Sequence, residues 1–148
     1  NMLGVSYYYN KQNDSAMYCY KLSRNYYPTA FGKTRPNENI AAIYYTTGNY
    51  ERAIEIYKKN LALYKSEENN DFIINVQMHL AKIHSDLGRH QQAIHYIDKT
   101  LFYAKKYGNT SKLPLIYQLR GMPLVITKPI NITTILFLML KMQRKLLN

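Results

Sequence analysis

The sequence has one cysteine, no tryptophan and no apolar run long enough to cross a bilayer. A single cysteine, Cys19, excludes an internal disulfide and a zinc site built from several cysteines. The apolar stretch from Ile130 to Leu140 is shorter than the about 20 residues that a membrane-spanning helix needs. The chain also opens without the basic and then apolar segments of a secretory signal. These absences predict a cytoplasmic protein in a reducing compartment, with no membrane partner.

Motifs for enzyme chemistry are missing as well. The four histidines between His79 and His95 are five or six residues apart, whereas a helical metal site pairs histidines at i and i+4. The stretch FGKT at 31–34 ends like a phosphate-binding loop, but Tyr27 stands where that loop requires glycine. No serine or cysteine lies in a nucleophile motif. We therefore predict a protein that is not an enzyme and uses no metal and no cofactor.

Acidic residues are scarce in the second half of the chain. The net charge of +11 divides into +3 for residues 1–33, −1 for 34–73 and +9 for 74–148, and no acidic residue follows Asp98. A basic half can attract nucleic acid, anionic lipid or an acidic peptide. A basic surface that contacts only solvent explains the same charge. Binding of nucleic acid therefore stays an alternative, and it would weaken steeply with salt.

The sequence does contain a repeat of about 40 residues. Gly-x-x-x-x-Ala-Ile occurs at 48–54 and again at 88–94. Two series of small residues follow the same period, and the second lies twelve residues after the first. The series are Gly4, Ala41, Ala81 and Gly121, and then Ala16, Ala53 and Ala93. Two antiparallel helices that cross closely need a small residue on each, so we predict helical hairpins whose first helices end at Gly48 and Gly88.

The second helix of each hairpin carries an apolar stripe at helical spacing. This pattern resembles the tetratricopeptide repeat. It predicts an all-α fold of tetratricopeptide-like helical hairpins, stacked in a right-handed superhelix over residues 1–121. The predicted units are about 1–28, 34–66 and 74–107, with the start of a fourth from 112. The period exceeds the usual ~34 residues, which predicts longer helices and loops between units. The two prolines of the link 26–39 exclude one continuous helix there.

The pattern fails after Gly121, in residues 122–148. Pro123 lies within the predicted first helix of unit four, Lys128 replaces the turn glycine, and Thr133 replaces the small residue. Three interpretations remain open for this segment. It is a divergent capping helix, a tail altered by a shifted reading frame, or a segment that lies on a membrane surface.

The concave face of such an array is the predicted binding site, and the first helices line it. Amide side chains there can bond a peptide backbone, Lys82 or Arg35 can pair with a carboxylate, and Tyr45 can form an apolar wall. Tyr8, Ala42, Met78 and Ser85 are expected beside them. The predicted groove residues are Arg35, Glu38, Asn39, Tyr45, Asn75, His79, Lys82 and Gln118.

The run from NENIAAIYYTTGNYERAIEIYKKNLALYKSEENNDF through NVQMHLAKIHSDLGRHQQAIHYIDKTLFYAKKYGN to LIYQLRG resembles the C-terminal domain of PlcR-type regulators. These belong to the peptide-pheromone receptors of Gram-positive bacteria that include the Rap, NprR, PrgX and Rgg proteins. The resemblance covers roughly residues 1–121. Asparagines that contact peptide in that family align with Glu38 and His79, and the family lysine aligns with Lys82.

The resemblance implies a domain of a quorum-sensing transcription regulator. It implies that the array dimerises, binds a short signalling peptide in its groove and changes the DNA-binding geometry of the dimer. DNA would be bound only through a helix-turn-helix domain, which this sequence does not contain, so we expect the chain to be a fragment. The alternative is a general tetratricopeptide scaffold that binds a segment of a partner protein.

Overall fold

The computed structural model describes residues 2–121, and no strand occurs among them. Residues 110–112 form a short 3-10 helix. The α-helices are α1 (Met2–Tyr9), α2 (Asn13–Asn25), α3 (Thr34–Thr46), α4 (Tyr50–Ser66), α5 (Asn70–Asp86), α6 (His90–Lys106) and α7 (Leu113–Leu119). Each helix packs against the next one along the chain. The prediction of an all-α fold of helical hairpins is confirmed. The interpretations of residues 122–148 concern a segment outside the described residues.

The small residues lie where the helices of a hairpin meet. Ala41 and Ala53, on α3 and α4, are fully buried, and Ala81 and Ala93, on α5 and α6, are 1% and 5% exposed. Ala16 of α2 is buried as well. A side chain larger than a methyl group at these positions would hold the two helices apart, because protein interiors are packed to crystal-like density. The repeated small residues are therefore a packing feature, as the sequence predicts.

Gly121 is an exception to this series. It is exposed and has a φ of +69° directly after α7, which ends at Leu119. The expectation that it packs inside a helix of unit four, like Ala81 in unit three, is wrong. Glycine enters the left-handed conformation without steric cost, and at this position that conformation accompanies the end of the helix.

The turns inside the hairpins all use a left-handed residue. Gly48 and Gly88 follow α3 and α5 with φ values of +78° and +67°, which confirms their predicted place at the helix ends. In the first hairpin Lys11 takes this conformation, with a φ of 59°. A left-handed conformation costs a residue with a side chain roughly 1–2 kcal/mol. The first turn is therefore strained in a way that the other two are not.

We expect Lys11→Gly to raise the free energy of unfolding by about 1 kcal/mol, because glycine removes this steric cost. Urea unfolding followed by circular dichroism measures the change. Lys58→Gly is the matched control, since Lys58 is exposed inside α4 and glycine in a helix interior lowers stability by about 1 kcal/mol. A loss of stability in both variants would contradict the assignment of strain to Lys11.

The connections between hairpins differ from the prediction. Helices α4, α5 and α6 each have 17 residues, so the predicted longer helices are present. The predicted longer loop is absent between α4 and α5, which only residues 67–69 join, whereas residues 107–112 join α6 to α7. Added residues satisfy their backbone hydrogen bonds within a longer helix, which a long loop would not achieve. The predicted link 26–39 is also shorter in the structure, because α3 already begins at Thr34. Pro36 lies in the first turn of this helix, where proline is tolerated.

The apolar core consists of three clusters that neighbouring hairpins share. The first joins α2 to α3 through Ala16, Tyr20, Ile40 and Ile43. The second extends from Ala41 on α3 through α4 to Ile83 on α5. The third joins α5 and α6 to Ile116 of α7. Because each hairpin completes its core only against a neighbour, the array is held as a stack.

Candidate functional site

Two cavities share part of their lining on α5. The smaller, about 220 Å³, lies among α1, α3, α4 and α5 and is lined by Tyr8, Ala42, Tyr45, Thr46, Tyr57, His79, Lys82 and Ile83. The larger, about 400 Å³, lies between α5 and the segment 111–119 and is lined by Asn75, Met78, His79, Lys82, Ser111, Lys112, Leu115 and Leu119. His79 and Lys82 line both cavities. We call the two cavities together the inner groove.

His79 lies at the junction of the two cavities. Its ring stacks on Tyr57 of α4, with the ring centroids 5.0 Å apart and the planes 10° from parallel. His79 is nevertheless exposed to solvent. Desolvation, and then the nearby ammonium of Lys112, lower the pKa of His79. The imidazole is therefore neutral at pH 7 and can donate one hydrogen bond and accept another.

Tyr45, Lys82 and Asp86 form a polar cluster that links α3 to α5. The Tyr45 hydroxyl donates to Oδ2 of Asp86 at 2.6 Å, and Nζ of Lys82 lies 3.4 Å from the same oxygen. The ammonium also lies 5.5 Å from the centre of the Tyr45 ring. The neighbouring Tyr45 hydroxyl and the carboxylate of Asp86 raise the pKa of Lys82, and desolvation opposes them. The side chain of Lys82 remains 51% exposed, so a ligand can reach its charge.

The larger cavity combines an apolar wall with a polar edge. Met78 of α5 and two leucines of α7, Leu115 and Leu119, supply the apolar wall. On the polar edge, Nζ of Lys112 donates to the side-chain oxygen of Asn75. The contact fixes Asn75 with its amide nitrogen still available as a donor.

Arg35 and Asn39 lie away from the inner groove. Both line a third cavity of about 530 Å³, together with Met2, Val5 and Ser6 of α1. The guanidinium of Arg35 lies 5.2 Å from the centre of the Phe72 ring. Gln118 is exposed on α7 and lines neither cavity of the groove. Of the eight predicted residues, the inner groove brings together Tyr45, Asn75, His79 and Lys82.

Glu38 lies inside the protein. Its side chain is 13% exposed and pairs with Arg35 at 3.5 Å, and it accepts a hydrogen bond of 2.6 Å from the Tyr64 hydroxyl. Burial raises the pKa of Glu38, and the contacts with Tyr64 and Arg35 oppose that change. These contacts occupy the carboxylate, so the structure gives Glu38 a role in joining α3 to α4.

Sequence reasoning missed the contribution of residues 111–119. The 40-residue period carries the signal, since it places Leu115 and Leu119 at the positions of Asn75 and His79. The prediction named only the polar Gln118 from this segment. Lys112 gave no signal, because it comes from the 3-10 helix between units.

A family model described as tetratricopeptide repeat matches residues 34–105. This range runs from the start of α3 almost to the end of α6. Residues 34–105 are therefore similar to the tetratricopeptide repeat family. No curated protein and no solved structure matches the chain.

Tetratricopeptide repeat domains commonly bind peptides or partner proteins, and they are generally scaffolds that catalyse no reaction. Interaction with another protein is therefore the class of function that the family supports. Within residues 2–121, no three His, Cys, Asp or Glu side chains are grouped to hold a metal ion. No helix in that part of the chain is long and apolar enough to span a membrane.

Proposed function

We propose that this chain is the peptide-sensing domain of a PlcR-like quorum-sensing regulator, and that a short signalling peptide binds in its inner groove. The observation that carries the proposal is that His79 and Lys82 line both of two neighbouring cavities, of about 220 and 400 Å³. In this proposal, an extended peptide of a few residues occupies both cavities and crosses α5 at His79 and Lys82.

The chemistry of the lining suits a peptide. Asn75 and Ser111 can bond to backbone amides, and Met78, Leu115 and Leu119 can enclose an apolar side chain. Lys82 and Lys112 lie on the lining of a groove to which no acidic residue contributes. A peptide with a carboxylate would therefore pair with the groove better than a basic one.

The regulatory part of the proposal comes from the resemblance to PlcR-type proteins. In that scheme the domain forms a homodimer in the cytoplasm of a Gram-positive bacterium. Peptide binding shifts the dimer between two geometries, and a separate helix-turn-helix domain binds the promoter. The peptide can shift this equilibrium only through different affinities for the two geometries.

Lys82→Ala is expected to weaken peptide binding about tenfold, because one charge-assisted hydrogen bond contributes ~1.5–3 kcal/mol. Calorimetric titration with short peptides encoded next to the gene measures the affinity. Lys59→Ala is the matched control, because Lys59 forms the same kind of i, i+4 ion pair on α4 and does not line the inner groove. Circular dichroism checks that both variants keep the parent helicity.

Equal affinity in the parent and Lys82→Ala would remove Lys82 from the site. The absence of heat with every short peptide would instead favour the second candidate, a scaffold for a partner protein, which the tetratricopeptide match itself supports. The coding sequence upstream separates the two candidates. A helix-turn-helix there agrees with the regulator, and another kind of domain agrees with the scaffold.

A further inference from the structure

We infer that peptide binding in the inner groove is linked to protonation of His79. The groove takes a peptide that carries a carboxylate beside an apolar side chain, and one proton binds to the imidazole together with it. This inference rests on the proposed function, since it names the chemistry of the ligand and a means of regulating the same site.

A ligand that occupies both cavities would contact His79. This residue lines both cavities, so a peptide that extends from one to the other passes over its ring. The opposite face of the ring lies against Tyr57, and turning the ring away would give up that stacking contact. A ligand therefore meets the open side of an imidazole that is held in place.

The charges around His79 disfavour its proton while the groove is empty. The nearby ammonium groups belong to Lys82 and Lys112, and no carboxylate lines the groove. Asp86 instead accepts hydrogen bonds from Tyr45 and Lys82. Each helix that lines the groove next to His79 contributes titratable or uncharged groups. The titratable groups are Tyr8 of α1, Tyr45 of α3, Tyr57 of α4, Lys82 of α5 and Lys112 of the 3-10 helix. Helix α7 contributes only the uncharged Leu115 and Leu119.

A bound carboxylate would favour the protonated form of His79. An opposite charge within about 4–6 Å favours the charged form of a neighbouring group by 1–3 pKa units. The peptide would raise the pKa of His79, which desolvation and Lys112 lower in the free protein. The complex then binds more protons than the free protein in the pH range between the two pKa values. By linkage, affinity rises as the pH falls through that range.

The apolar part of the ligand follows from the larger cavity. Met78, Leu115 and Leu119 line it, and Leu115 is half exposed. A leucine or phenylalanine side chain of the peptide would cover these groups and gain about 1.5–3 kcal/mol from burial. The two ammonium groups lie on the lining of the same cavity, so the carboxylate belongs next to this apolar residue.

Calorimetric titration of the full chain with two matched peptides tests the inference. The acidic probe is acetyl-Leu-Glu-Leu-Phe with a free carboxylate, and the neutral probe is acetyl-Leu-Gln-Leu-Phe-amide. Each is titrated at pH 5.5 and 7.5, in two buffers that differ in ionisation enthalpy. Glutamate, with a pKa of about 4.3, stays ionised at both values. We expect the acidic probe to bind several-fold tighter at pH 5.5, below the limit of about tenfold that a shift of ~1 pKa unit sets, with net proton uptake.

The neutral probe should show no gain in affinity at pH 5.5, because it brings no charge to stabilise the imidazolium. In His79→Gln the acidic probe should bind with nearly equal affinity at the two pH values. His95→Gln is the matched control, since His95 is exposed on α6 and lines neither cavity, and it should keep the parent pH dependence. Circular dichroism at both pH values establishes that each variant is folded.

The outcomes separate this inference from the proposed function. Binding of the acidic probe with the same affinity at both pH values, or a pH dependence that survives in His79→Gln, overturns the link to His79 and leaves the peptide-binding groove intact. If neither probe nor any peptide encoded beside the gene binds at either pH, the groove is not a peptide site, and the inference falls with the proposed function.

Discussion

An Ala53→Leu variant is expected to lose about 1–3 kcal/mol of its free energy of unfolding, and more if the hairpin cannot open to make room. Ala53 is fully buried in the cluster that joins α3, α4 and α5. A leucine there adds three carbons to a closely packed helix crossing, so side chains or backbones must shift. Since a domain of this size has a total stability of ~5–15 kcal/mol, this loss should lower the unfolding midpoint by several degrees.

Thermal and urea unfolding measure this loss. Ala62→Leu is the control, because Ala62 is exposed on the same helix and leucine is nearly as good a helix former as alanine. The control should change stability by less than about 0.5 kcal/mol. Similar effects at both positions would mean that the crossing of α3 and α4 has room for a larger side chain, and the packing explanation of the repeat would be wrong.

Tyr64→Phe is the second change with a large expected effect. Tyr64 is fully buried, and its hydroxyl donates a hydrogen bond of 2.6 Å to Oε1 of Glu38. Phenylalanine keeps the ring contacts with Phe31 and Phe72 but leaves the Glu38 carboxylate without this donor. Loss of a partner for a mostly buried group costs about 1–3 kcal/mol, and more for a charged one. Urea unfolding at pH 7 measures the cost.

Glu38→Gln separates the hydrogen bond from the charge. The amide oxygen of glutamine can still accept from Tyr64, so Tyr64→Phe should cost less in this background than in the parent. Burial raises the pKa of Glu38 in the folded protein. The folded state therefore binds more protons than the unfolded state above pH ~4.3, and this group's contribution to stability falls as the pH rises through the folded pKa.

The free energy of unfolding of Glu38→Gln, relative to that of the parent, should therefore rise as the pH rises from about 4 to 7. The difference is the useful quantity, because His79 and His84 have lowered pKa values and act in the opposite direction. Their contribution to stability is lost as the pH falls below ~6.5. A difference that stays constant with pH would contradict burial as the cause of the raised pKa of Glu38.

The sequence predicted more of the fold than of the site. The ends of α3 and α5 could be predicted from Gly48 and Gly88, because glycine is the residue that most easily adopts the left-handed conformation that ends a helix. The site depends on which neighbours share a surface. Arg35 and Tyr45 both lie on α3, yet they line different cavities. Spacing along one helix gives the face of a residue but not the element that lies opposite.

The sequence by itself determined the all-α hairpin repeat, because the period of small and apolar residues is a property of the chain that every hairpin repeats. Only the tertiary structure decided that His79 and Lys82 line two cavities, that Lys112 lies on the edge of the groove and that Glu38 accepts a hydrogen bond from Tyr64. These relations join residues on different helices, such as Glu38 and Tyr64, which lie 26 positions apart along the chain. Their geometry follows from how the hairpins stack, and no local pattern in the sequence encodes it.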